Sequence, residues 1–165
     1  MNKKLLIRII IAVVAWVAAL VVLGFSSGLF YYWAKGINHY IDGGYDNNVS
    51  VFVAEGDITV SKGAPTQTAL GRIEVLFVES DGDGTKVTFA LISELGLNGA
   101  KVLSFAPLSG NKPFIATIAF SDGALTFISQ TVEKNRVIAE YYYPSDLSGD
   151  AVFSVTDIVV NDFSR

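Results

Sequence analysis

The sequence predicts a mainly β protein that follows a single N-terminal transmembrane α-helix. Three observations carry this reading. Residues 9–33 contain no charged side chain, and 9–23 are apolar without a break. Beyond residue 49, apolar side chains recur at every second position in short runs, separated by turns rich in Gly, Asp, Asn and Pro. Such runs, eight or nine at roughly ten-residue spacing, favour an antiparallel β-sandwich, Ig-like or related, over an α/β fold. The third observation is the split of charge. Residues 1–41 carry four bases and no acid, whereas 42–165 carry sixteen acids against eight bases, so the net −4 is a sum of +4 and −8.

The helix comes first. At 1.5 Å per residue, a 25-residue run reaches roughly 37 Å, enough to cross a hydrocarbon core of ~30 Å. Lys3, Lys4 and Arg8 precede it, which by the positive-inside rule places the N-terminus in the cytoplasm. Tyr31, Tyr32 and Trp33 close it, as an aromatic belt does at the far interface. A cleaved signal peptide is the rival, with Ser26 and Gly28 as small residues near a cleavage site. The apolar run is longer than the usual 7–15 residues of a signal core and continues into aromatics, so a retained anchor is expected. The expected location is a bacterial inner membrane, with the C-terminal domain periplasmic or extracellular.

Ala12, Ala15 and Ala19 share one helix face, and Gly24 with Gly28 forms a second small-residue stripe. Small residues let a second helix approach closely, so these five positions are expected to pack against other transmembrane subunits. Past Trp33, Ile37, Tyr40 and Ile41 keep helical spacing, and Gly43-Gly44 ends the helix. The expected division is 1–41 for the basic tip, membrane helix and juxtamembrane extension, 42–49 for a linker, and 50–165 for the exported all-β domain.

Within that domain the expected strands are 51–53, 57–60, 72–79, 86–91, 101–106, 114–120, 125–128, 132–143 and 151–160. Ser80-Asp81-Gly82-Asp83-Gly84 and Ser121-Asp122-Gly123 read as hairpin turns. Glu133-Lys134-Asn135-Arg136 interrupts the eighth run with polar residues, which is a bulge or a hairpin that splits it.

Little in the sequence carries chemistry. The chain has no cysteine, which excludes thiolate nucleophiles, disulfides and thiolate-bound metals. Its single histidine, His39, lies before the β-domain, so a Ser-His-Asp set within the domain is excluded. No phosphate-cradling or zinc-binding motif is present, and an acidic domain does not suit nucleic acid. No enzyme activity and no cofactor are expected. His39 reads as an interfacial amphipathic residue rather than a tetrapyrrole or metal ligand. Glu79, Asp81 and Asp83 form a weak calcium candidate, since the twelfth position counted from Asp81 is Ile92 and not the glutamate of a full calcium loop. The run Tyr141-Tyr142-Tyr143 divides its rings between two strand faces and is a candidate protein interface.

These readings lead to an expected role as a non-catalytic accessory or scaffold subunit of a larger membrane assembly. Its expected partners are the lipid bilayer and other transmembrane subunits. The alternatives are a pilin-like filament subunit, which lacks the early helical glutamate here because no Glu precedes Glu55, and an exported ligand- or ion-binding domain.

Overall fold

A computed structural model describes residues 3–27, 29–95, 99–109, 114–121 and 123–164, without the side chains of 31, 32 and 54–57. The chain is mainly β, with 52% of it in strands, and begins with an apolar helix. That helix, α1 (Lys3–Ser26), is long and apolar enough to cross a membrane. Two short helices follow, α2 (Leu29–Lys35) and α3 (Asn38–Asp42), with Gly36 in the left-handed region between them at φ +57°. Gly43-Gly44 ends α3, as expected.

Ten strands follow in two antiparallel sheets. β1 (Asp46–Ser61), β5 (Ala100–Ser104), β6 (Ile118–Phe120), β7 (Gly123–Ala124) and β10 (Val152–Ser164) make the first. β10 is its organising strand. It pairs with β1 along one side, while β5 (at 159–163) and β6 (at 154–155) share the other. The second sheet has the order β2 (Thr66–Thr68), β3 (Gly71–Ser80), β4 (Thr85–Ser93), β9 (Arg136–Tyr143), β8 (Thr126–Glu133).

One buried cluster draws on both sheets. Period-two patterning explains the contribution of the second sheet's strands. Ile73 and Val75 of β3, Val87, Phe89 and Leu91 of β4, and Val137, Ala139 and Tyr141 of β9 all point inward. Phe153, Val155, Ile158, Val160 and Phe163 of β10 meet them from the first sheet. Phe89 is central, with ring centroids of Tyr141 at 5.7 Å and Phe153 at 5.3 Å, both edge-on, the favoured aromatic geometry.

Several boundaries differ from the sequence reading, each for a local reason. The runs at 51–53 and 57–60 belong to one 16-residue strand, β1, because β10 carries pairing past a register shift between Val53 and Ile58. The polar interruption at 133–136 is a hairpin, with Lys134 and Asn135 as its two turn residues between β8 and β9. The sixth expected strand, 114–120, shortens to β6, because Ala116 N–H donates to the Phe105 carbonyl and Thr117 N–H to the Asp157 carboxylate, outside any ladder. Strand begins at Asp46, inside the expected linker.

Candidate functional site

Three features meet where the helices join the sheets. The first is the surface of α1. Its large apolar side chains lie outside the core, from Leu6 at 39% exposed to Trp16 at 69%. Ala12, Ala15 and Ala19 are exposed there. Gly24 is not: the ring of its own chain's Phe30 covers it and leaves no room for a Cβ, while Phe25 meets Phe30 edge-on at 4.9 Å. Gly24 is therefore occupied from within the chain rather than open to a partner helix. Gly28 lies outside the described residues, as do the side chains of Tyr31 and Tyr32. Lys3, Lys4 and Arg8 are exposed at the far end of α1.

The second feature is α3, which is built into the domain. Ile37 and Tyr40 are fully buried members of the shared cluster. Tyr40 stacks on Phe163 of β10, centroids 5.8 Å apart, and meets Tyr45 edge-on at 5.2 Å. His39 is half-buried beside them, its Nε2 3.3 Å from the Tyr45 hydroxyl and its ring edge-on to Tyr40 and Tyr45. It is an aromatic packing residue within a hydrogen-bonded pair.

The third feature is the tip of the β8–β9 hairpin. The Lys134 carbonyl accepts the Ile37 N–H, and Gly36 passes so close to it that a Cβ would collide. Lys134 places its ammonium 5.4 Å from the centre of the Trp33 ring, a cation–π contact. Asn135 accepts the Ser93 N–H at its carbonyl, tying the tip to the end of β4. A cleft of about 410 Å³ opens here, lined by Trp33, Gly36, Leu95, Lys134 and Asn135. Lys134 adopts φ +35°, a left-handed conformation that a lysine rarely takes.

The remaining expected site residues are spread apart. Glu79 lies within 3.9 Å of Lys86, and Asp81 Oδ1 accepts the N–H groups of Asp83 (3.0 Å) and Gly84 (3.1 Å). The Asp81 carboxylate builds a turn and Glu79 a surface pair, and among the described residues no three His, Cys, Asp or Glu side chains gather as metal ligands. Tyr141 is buried, and its hydroxyl donates to the Ala116 carbonyl at 2.9 Å. It belongs to the core rather than to an interface. Burial, helped by the charge of Asp157, pushes its phenol well above the usual tyrosine range. Tyr142 and Tyr143 are half-buried; the Tyr142 hydroxyl donates to the Asp83 carbonyl, and Tyr143 meets Phe120 edge-on.

Sequence reasoning passed over Gly36, Lys134 and Asn135. The available signal was the Lys-Asn pair inside a polar break, which is turn chemistry. Nothing local in the sequence pairs that turn with a glycine about a hundred residues earlier. In comparisons with known proteins, no family model, no curated protein and no solved structure matches this chain.

Proposed function

We propose that the chain is a single-pass protein of a bacterial inner membrane. Its N-terminus is cytoplasmic, and its β-rich part, an antiparallel β-sandwich, stands on the outer side as a non-catalytic accessory or scaffold subunit of a larger assembly. The observation that carries this reading is α1: about 36 Å of apolar helix with its large side chains outside the core, continued by α2 and α3 into the buried cluster. Soluble monomers seldom expose apolar patches beyond a few hundred Å². A surface of that extent needs lipid or protein around it.

The charges support the same orientation. Lys3 and Lys4 open α1 with no acid in its first turn. At the positive end of the helix dipole they oppose helix stability. As cytoplasmic flanks of a membrane span they are favourable.

The test is extraction in mild detergent, followed by intact mass and particle size. A full-length chain in a complex larger than one copy is expected. A mature chain lacking about 28 N-terminal residues would end the anchor reading in favour of a cleaved leader. A full-length monomer with nothing co-purifying would end the subunit reading.

A further inference from the structure

We propose that the tip of the β8–β9 hairpin is a lipid-contact element, in which Lys134, with Trp33 beside it, engages headgroup phosphates of the leaflet from which the helix emerges. The proposal rests on the anchor reading above and adds to it a second point of attachment. A helix alone fixes where the domain is tethered. A helix and a hairpin together fix which way it faces.

The placement follows from the chain. The uncharged stretch that begins at Ile9 ends at Lys35, the first charge after Arg8. The headgroup zone therefore falls around Trp33, whose ring is 71% exposed. Tryptophan rings favour this depth because they are apolar with one polar edge. The hairpin tip is held at the same level by three contacts already described: the Ile37 N–H on the Lys134 carbonyl, the close approach of Gly36, and the Lys134 ammonium over Trp33.

Charge selects phosphate as the occupant. Arg136 is spent on Glu133, with Nη2 at 2.7 Å and Nε at 3.0 Å from the same carboxylate oxygen, and Lys35 pairs with Asp42 at 3.3 Å. Lys134 is exposed and, among the described residues, has no carboxylate partner. It is an exposed cation on the edge of a domain whose net charge is negative. Its backbone gives a second argument. A two-residue hairpin turn of this kind is best served by Asn or Gly at a positive-φ position. Lysine there carries conformational strain, and strain retained at a surface tip points to a use for the side chain.

The chain's lack of cysteine and its two tryptophans make a direct test available. Full-length protein is reconstituted into vesicles of phosphatidylethanolamine and phosphatidylglycerol that contain lipids with a headgroup-attached quencher. Trp16→Phe leaves Trp33 as the sole tryptophan and reports the depth of the anchor. Asn135→Cys carries a fluorophore at the hairpin tip. Asp83→Cys carries one at the β3–β4 turn, which lies at the opposite end of the sheet, roughly 25 Å away by strand rise.

Quenching of Trp33 and of the Asn135 label is expected, several-fold stronger than at Asp83. In the labelled protein, Lys134→Glu is expected to release most of that quenching, while Lys134→Arg keeps it. If Trp33 is quenched but the Asn135 label matches the Asp83 label, the hairpin proposal falls and the anchor stands. If Trp33 is not quenched, both fall. Loss of quenching in both Lys134 variants, or in neither, overturns the role assigned to the lysine.

Discussion

Asn161 shows how this fold treats a polar side chain that it buries. Its amide sits in β10 without exposure, donates to the Val102 carbonyl and the Ser104 hydroxyl, and accepts from Leu108 N–H and Asn47 Nδ2. Each of those bonds has a net worth of about 1 kcal/mol, and each partner left unpaired costs more. Asn161→Ala is expected to destabilise the domain by roughly 2–4 kcal/mol in denaturant unfolding. Tyr141 makes a different prediction. Its phenol ionises more readily unfolded than folded, because its folded value lies above the ordinary 10. The stability this contributes is full below pH 10 and is lost as pH rises from there towards the folded value. Tyr141→Phe is therefore expected to flatten the alkaline limb of a melting-temperature profile. At neutral pH it costs about 1–2 kcal/mol, because the Ala116 carbonyl loses its donor. Gly36 is a third case. Its left-handed backbone and its approach to Lys134 both exclude a side chain, so Gly36→Ala is expected to lower the melting temperature, by more than the ~1 kcal/mol of a simple left-handed alanine.

Among the elements, turns were the most legible. Asp81-Gly82-Asp83-Gly84 announces a hairpin because an Asp side chain caps its own turn and Gly supplies the unusual backbone. The structure has Asp81 Oδ1 bonded in that way, with Gly82 at φ +92°. Asp81→Ala is expected to loosen this hairpin by about 1 kcal/mol, visible as faster amide exchange at Asp83 and Gly84. Alternation made β3 and β9 readable because one face is more deeply buried than the other, whereas β4, between them, also buries Thr88 and Ala90 on its second face. Where distant contacts decide, the sequence was silent. The continuity of β1 is set by β10, about a hundred residues later. The burial of Ile37 and Tyr40 was hidden because helical spacing looks the same on a helix that lies at an interface and on one that plugs a core. Tyr141, Tyr142 and Tyr143 alternate between faces, but which face is inside depends on the neighbouring strands. The candidate site was half legible. Trp33 ends an apolar run and reads as interfacial, whereas its contact with Lys134 is a long-range pairing with no local trace.

For the molecule as a whole, α3 redraws where the domain begins. A fragment starting at residue 46 retains all ten strands but loses Ile37 and Tyr40, both fully buried. Truncating side chains of these sizes in a core costs roughly 2–5 kcal/mol each. The total is comparable with the 5–15 kcal/mol by which small domains are stable at all. A fragment starting at residue 46 is expected to melt far below one starting at residue 36, or to show no cooperative transition in circular dichroism, although neither contains α1. Equal melting of the two would show that α3 is an ornament on the surface rather than part of the core.

β10 has a consequence of another kind, in the timing of biosynthesis. The strand that β1, β5 and β6 all need follows every one of them in the chain, at Val152–Ser164. A ribosome works from the N-terminus at a few residues per second or faster. For most of that interval β1, among the first strands to appear, has no partner in its own sheet. The first sheet is therefore assembled only after β10 has been made. Until then β1 is an unpaired edge, the form in which chains aggregate.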